Sequence, residues 1–404
     1  MSITAIKVNG TALDLADVEV TLGINHGRND IASGSQPSDA SLTLRNFATI
    51  PAQIGDELTI EAYSEPRFTG DIAQLSLAHE YSPSGQLLPV LKLAAIGRMA
   101  RLGLAFVGEA GYPKQDLNIR VAEILDDTGL LYQSNVPTGG EQLHVDPQDG
   151  GYSAMSLLTA LCAETGATMC DLPDGAILFE SYSVRGVGYN PAHWYDVPDP
   201  WSAVVYIWAD VYDRTEATPL TVNLPHNAIV WSPQWSNDIV TVLNDVTVTY
   251  NANDFTQETD TDSITAYGRR AYTLDTKYTT LADAVTRAGD VIRAQAFPRY
   301  ALTNVVLQMD QLTEPTLSAV LHLISGSRVN IDDLPQPSPI EDYTGIVEGW
   351  TDHYSPAGYF LSLSLSDPRF SYAVLKWGQV LVTETWGSVT PTLQWFNVVN
   401  NSDL

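Results

Sequence analysis

The stretch 245–334 sets a strand, a helix, a second strand and a tight turn one after another, and this order most narrows what the chain can fold into. Val246-Thr247-Val248-Thr249-Tyr250 alternates apolar and hydroxyl side chains with the period of two that lays one face on a core. A polar loop is expected next, ending in Tyr267-Gly268-Arg269-Arg270. In Thr280-Leu281-Ala282-Asp283 the Thr hydroxyl accepts from a free amide at a helix start, and the acid three residues on answers the N-terminal dipole. Leu281, Ala284, Val285, Ala288, Val291 and Ile292 then share one helical face, Asp283 is placed to pair with Arg287, and Pro298 forbids continuation. The spacing predicts a helix over 281–297. A β-rich run from Leu302 to Leu312, a short segment from Leu317 to Ile324 and Gly326-Ser327-Arg328-Val329-Asn330-Ile331 lead into a Pro-rich loop.

Upstream, 1–108 reads as strands and polar turns: Ile3 to Val8, Leu13 to Leu22, Ala40 to Leu44, Glu57 to Tyr63, Phe68 to His79 and Leu87 to Ile96. Gly23 to Ser38, rich in Gly and Ser, reads as a loop with too little apolar surface to fix itself without a partner. A composition shift at Gly108-Glu109-Ala110-Gly111 opens a small α+β segment, 109–184. Asn118 is a candidate cap for a helix carrying Val121, Ile124 and Leu125; Ser153 is a candidate cap for one carrying Leu157, Leu158, Leu161 and Cys162, closed by Gly166. Pro173-Asp174-Gly175 has the turn chemistry of a hairpin. Residues 185–370 return to β character, with Trp194, Trp201 and Trp208 seven apart; Pro198 and Pro200 rule out a helical heptad there, so these are read as packing aromatics. The expected fold is mainly β with an α+β insert, and 371–404 is a C-terminal arm.

The 404 residues carry 48 acids against 20 bases, a formal net charge of -28. Only Lys7, Lys92, Lys114, Lys277 and Lys376 are lysines, so the phosphate-neutralising footprint of a sequence-specific nucleic-acid binder is missing. No apolar run is long enough for a membrane helix, and the N-terminus lacks the basic head and apolar core of a secretory signal. Cys162 and Cys170 form no zinc or redox motif and are expected to be reduced and buried.

The seven histidines are scattered, and no His-Glu-x-x-His, Cys-x-x-Cys, Gly-x-Ser-x-Gly or phosphate-binding Gly-x-x-x-x-Gly-Lys motif occurs. Neither a catalytic residue, a metal nor a cofactor is expected. Glu258, Asp260 and Asp262 alternate as calcium ligands do, but without the Gly and distal Glu of an EF-hand they are read as a solvated loop.

The element order at 245–334 resembles the second barrel half of tail hub proteins of tailed bacteriophages. Ser41-Leu42-Thr43-Leu44-Arg45-Asn46, Gly55-Asp56-Glu57-Leu58-Thr59-Ile60 and Arg67-Phe68-Thr69-Gly70-Asp71-Ile72 resemble the first half of the same hubs. The resemblance touches 35–105 and 240–370. It implies two β-barrel-like hub domains, at 1–108 and 185–370, flanking the insert. It further implies a virion protein of the tail tip, assembled in the host cytoplasm as a homotrimeric ring between tail tube and tip that lines the DNA exit channel. The implied neighbours are a distal tail protein or tail tube, a tape measure protein, and downstream tip or receptor-binding fibre proteins. In such a ring the acidic charge has a use, because a like-charged wall lets DNA pass without sticking; solubility is the plainer reading.

Two sets of residues are candidates for partner contacts. Gly27, Asn29 and Gly34, in the Gly23–Ser38 loop, are placed to order against a neighbouring subunit. Trp377, Trp386 and Trp395, in an echoed Trp-Gly pattern, suit docking of the next tip protein, with a hairpin packed on its own domain as the other reading. A carbohydrate-binding tail protein, a cell-wall hydrolase and a hexameric distal-tail or tube subunit are the alternatives.

Overall fold

A computed structural model describes residues 3–182 and 221–367 and the pairs 375–376 and 398–399, apart from short stretches at 16–17, 29–33, 48–51, 82–83, 140, 145–151, 226–227, 231–233, 238, 252, 299 and 340–341. The chain is mainly β, as its alternating patterns require, and the described residues hold five α-helices: α1 (Leu117–Asp126), α2 (Ala154–Thr165), α3 (Thr261–Tyr267), α4 (Leu281–Gln295) and α5 (Glu314–Leu321).

One 13-stranded sheet dominates. Its path runs Ile229–Val230, Val305–Gln308, Gly358–Ser366, Tyr343–Ser355, Glu19–Gly27, Asp39–Arg45, Leu87–Gly97, Glu65–Tyr81, Glu57–Ala62, Ile3–Val8 and Thr11–Ala12. Arg328–Asp332 adds to Tyr343–Ser355, and Thr221–Pro225 lies parallel to it. The N-terminal and C-terminal strands are thus not separate sheets. They meet where Glu19–Gly27 pairs with Tyr343–Ser355, Trp350 opposite His26. Leu22, Ile24, Leu42, Leu44, Leu58 and Ile60 from the first half and Leu307, Val329, Val347, Leu361 and Leu363 from the second fill one core. Ser41 and Thr43 alternate outward between Ala40, Leu42 and Leu44, the period-two pattern read in the sequence.

A second core joins parts of the chain far apart in sequence. Val121, Ile124, Leu157, Leu158 and Leu161 of α1 and α2 share it with Val246 and Val248 and with Ala284, Ala288 and Val291 of α4. The helix expected over 281–297 is α4, Leu281–Gln295. Its small-residue face lies on a separate three-stranded sheet, Asp254–Thr259, Asp245–Tyr250 and Ala271–Asp275, and is covered from the other side by the insert. Its cap is as predicted: Thr280 Oγ1 accepts from Asp283 N at 3.1 Å and donates to the Asp283 carboxylate at 2.7 Å. Arg287 turns instead to the Glu164 carbonyl in the last turn of α2, 3.2 Å from Nε.

Other local expectations divide in the same way. Ser153 caps α2, accepting from Ser156 N at 3.2 Å, and Gly166 closes it at φ 76°. The cap of α1 is Asp116, not Asn118. The loop expected before Tyr267 is a strand followed by α3, where Asp260 accepts from Ser263 N at 2.8 Å; one of the alternating acids is therefore a helix cap. Leu317 lies in α5, with Pro in its first turn. Leu172 and Ala176 close the Pro-Asp-Gly hairpin. Both cysteines are free.

Candidate functional site

The joint between the two sheet halves holds a buried set of charged groups, Arg67, Asp352 and Glu348. Arg67 leaves the Glu65–Tyr81 strand and points inward, fully buried. Its Nη2 lies 3.0 and 3.1 Å from the two carboxylate oxygens of Asp352, and its Nη1 donates to the Leu321 carbonyl at 2.7 Å. Tyr359 donates its hydroxyl to the same carboxylate. Burial opposes the charge on Arg67, and Asp352 more than offsets it, holding the guanidinium above its ordinary range. Burial also drives the Tyr359 phenol well up. The group works as one unit of fixed charge: both terminal nitrogens of Arg67 and the Asp352 carboxylate are hydrogen-bonded, and only Arg67 Nε is left buried without an acceptor.

His26 stands beside this pair. Its ring stacks on Trp350 with centroids 4.6 Å apart and planes 23° apart, while the Arg67 guanidinium carbon lies 5.9 Å from the centre of the indole. His26 Nε2 is 2.7 Å from the Arg67 carbonyl, which can only accept, so Nε2 carries the proton and Nδ1 accepts from Ser38 Oγ at 2.9 Å. Burial lowers the His26 pKa to about 4, with Asp352 pulling the other way. The imidazole is neutral at neutral pH.

At the paired glycines Gly27 and Gly349 the two antiparallel strands leave no room for a side chain. A Cβ on Gly349 would come within 2.2 Å of the His26 carbonyl oxygen, and one on Gly27 within 2.4 Å of the Glu348 carbonyl oxygen. A bulge between Val347 and Gly349 shifts the register at this point. Beside it the buried Glu348 takes Arg28 Nε at 2.6 Å and the Ser366 hydroxyl. On the outer face Asn25, Asp39 and Thr351 line an open polar groove; Asn25 donates to Asp39 at 2.7 Å and accepts from Thr351 at 2.9 Å.

The insert is fastened to the same place. Asp171 accepts from Ser38 N at 2.8 Å and Met99 N at 2.6 Å, and burial raises its pKa to about 6. Gly97 leaves no space for a Cβ, which would sit 2.2 Å from Asp171 Oδ2.

These findings relocate part of the predicted contact set. Gly27 lies at the end of a strand rather than in a loop, because Glu19–Gly27 has pairing partners on both sides and interstrand hydrogen bonds override its weak local propensity. Gly34 is exposed, with open space where a Cβ would stand, next to Ser35, whose hydroxyl accepts from Met169 N of the chain's own insert at 3.2 Å. Asn29, Trp377, Trp386 and Trp395 lie outside the described residues, as do Trp194, Trp201 and Trp208. The sequence reading missed Arg67, Asp352, His26 and Glu348. One signal was available: Asp352 occupies an inward position two residues from Trp350 on an alternating strand, where a charge requires a partner.

The arrangement holds surfaces together; its charged groups are spent on one another. Among the described residues no cluster of three or more His, Cys, Asp or Glu side chains is placed to hold a metal, and no helix is long and apolar enough to cross a membrane.

No family model matches the chain, and no curated protein matches it in sequence. Solved structures match it in fold. The 43 kDa tail protein of prophage MuSo2 from Shewanella oneidensis superposes with a TM-score of 0.61 at 11% identity, over 92% of this chain and 100% of that one. A tail protein from Neisseria meningitidis gives 0.60 at 14% identity, over 92% and 98%. A component of the Escherichia coli type VI secretion system, itself structurally similar to the T4 bacteriophage tail proteins gp27 and gp5, gives 0.50 at 12% identity, over 92% and 79%. Over nine tenths of its length, the chain has the fold of phage tail proteins.

Proposed function

We propose that the chain is a structural protein of a phage tail, a hub whose copies close into a ring between tail tube and tip and surround the path of the DNA. The observation that carries this reading is the single continuous sheet. Two halves, each with its own strands, are locked at one joint by Arg67–Asp352 and by the close Gly27–Gly349 pairing, so that each copy is a rigid double unit. Three such copies would present six similar units around an axis and match a sixfold tube to a threefold tip. The shared fold with tail proteins supports the same reading. The work is mechanical: the joint transmits load between halves, and the acidic surface repels DNA from the wall. The further partners would be the distal tail protein or tube, the tape measure protein and the tip or fibre proteins, with Trp377, Trp386 and Trp395 as candidate docking side chains.

Electron microscopy of the purified protein tests this. The reading expects rings with threefold symmetry around an open axis. Sixfold rings would favour a distal-tail or tube subunit, and the absence of rings would overturn the proposal.

A further inference from the structure

Two apolar surfaces stand open along one strand, one at its C-terminal end and one beside its middle. The hairpin of Glu65–Tyr81 and Leu87–Gly97 runs past the core that supports its base. Pairing sets Leu75 opposite Leu93, Leu77 opposite Leu91 and Tyr81 opposite Leu87. Leu42 and Leu44 stand opposite Leu93 and Leu91 from the other side. Directly paired residues share a face, so Leu77, Tyr81 and Leu87 continue the face that Leu42, Leu44, Leu91 and Leu93 bury. The core residues are at most 2% exposed, whereas Leu77, Tyr81 and Leu87 are 47 to 78% exposed. The core layer therefore runs out along the hairpin while its apolar pattern continues.

The second surface gathers beside the middle of Glu65–Tyr81, at Asp71 and Ile72. The turn holding Ile54 bonds to Ile72 through Gly55 N at 2.8 Å, and Arg101, which grips Asp71 at 2.6 and 2.7 Å, starts the turn that carries Leu104. Phe106 bridges to Ser153, beside Tyr152. Ile54, Leu104, Phe106 and Tyr152 are 54 to 81% exposed. From Asp71 to Tyr81 the strand rises roughly 30 Å at about 3.3 Å per residue, so the two surfaces face different neighbours.

We infer that the hairpin of one copy seats Leu77, Tyr81 and Leu87 on the Ile54, Leu104, Phe106 and Tyr152 surface of the next copy. The inference rests on the ring reading above and assigns its contact. Charge selects a second copy as the occupant. Two chains of net charge -28 repel unless they meet where charge is absent or answered. The hairpin over 74–92 carries full charges only at Glu80 and Lys92, and Arg45 answers Glu80 at 3.4 Å. At the receiving surface Arg101 answers Asp71. A contact between different patches on each copy is heterologous, the kind that closes a ring.

Two surface variants test it, Leu77→Glu with Tyr81→Glu on the hairpin, and Leu104→Glu with Phe106→Glu on the receiving surface. Circular dichroism and thermal melts check that both remain folded. Each variant alone should fall from the wild-type oligomer to a 44.0 kDa monomer in light scattering. Mixed in equal amounts, they retain one good hairpin and one good surface and should recover a dimer of about 88 kDa, twice 44.0 kDa. Wild-type rings that persist in both variants would overturn this contact and leave the ring reading standing. Variants that dissociate but never form the mixed dimer would also overturn it, pointing to another occupant of the hairpin. A wild-type chain that never self-associates would overturn both.

Discussion

Arg67 and Asp352, 285 positions apart in the chain, meet in the interior with one guanidinium nitrogen 3.0 and 3.1 Å from the two carboxylate oxygens. Arg28 and Glu348, 2.6 Å apart, span the same two halves from a part-buried position. Removing one partner of the Arg67–Asp352 pair leaves the other as an uncompensated buried charge, which costs about 3–5 kcal/mol. Asp352→Ala should therefore lower the urea midpoint sharply, whereas the joint replacement Arg67→Met with Asp352→Leu should recover most of the loss. A single variant that unfolds like the wild type would show that the pair contributes little to the joint.

Neutral His26 supplies a pH dependence of defined sign. Its pKa is about 4 in the fold, against an ordinary value of 6.5 when unfolded. Between these values the unfolded chain binds a proton that the folded chain refuses, so stability is full above about pH 6.5 and falls as the pH drops towards 4. The loss attributable to His26 is up to about 3 kcal/mol, at 1.36 kcal/mol per pKa unit. His26→Gln should flatten the stability profile in this window; a variant with the wild-type slope would contradict the assignment.

Gly349 and Gly34 give a paired comparison. A methyl group on Gly349 meets backbone oxygens of His26 and Arg28 at 2.2 and 2.7 Å, which cannot yield without separating the strands. Gly349→Ala should cost on the order of 3 kcal/mol, the upper end for overpacking. Gly34→Ala, with nothing within 4 Å, should melt within about 0.5 kcal/mol of the wild type. Equal effects at the two positions would contradict the close pairing.

Thr280→Ala removes the cap of α4 and should destabilise the second core by about 1 kcal/mol, read by hydrogen exchange of α4 amides. Unchanged exchange there would show that packing alone holds the helix end.

Local features proved legible where local chemistry decides them. Ser153, Thr280 and the Pro173-Asp174-Gly175 turn behave as their residue types dictate. The alternation in 40–44 and 246–250 reports burial faithfully. What stayed hidden depends on partners distant in sequence. Gly23–Gly27 looks like a loop until Asp39–Arg45 and Tyr343–Ser355 flank it. The amphipathic face of α4 shows that it packs, but not that α1 and α2 close the same core. Arg67 reads as an ordinary strand charge because its partner lies on a strand nearly three hundred residues away.

Whether copies of this chain close into a threefold ring is read by light scattering on the purified protein across a concentration series. A threefold ring gives a plateau at about 132 kDa, three copies of 44.0 kDa. A plateau at about 264 kDa, six copies, or a mass that stays at 44.0 kDa throughout would contradict it.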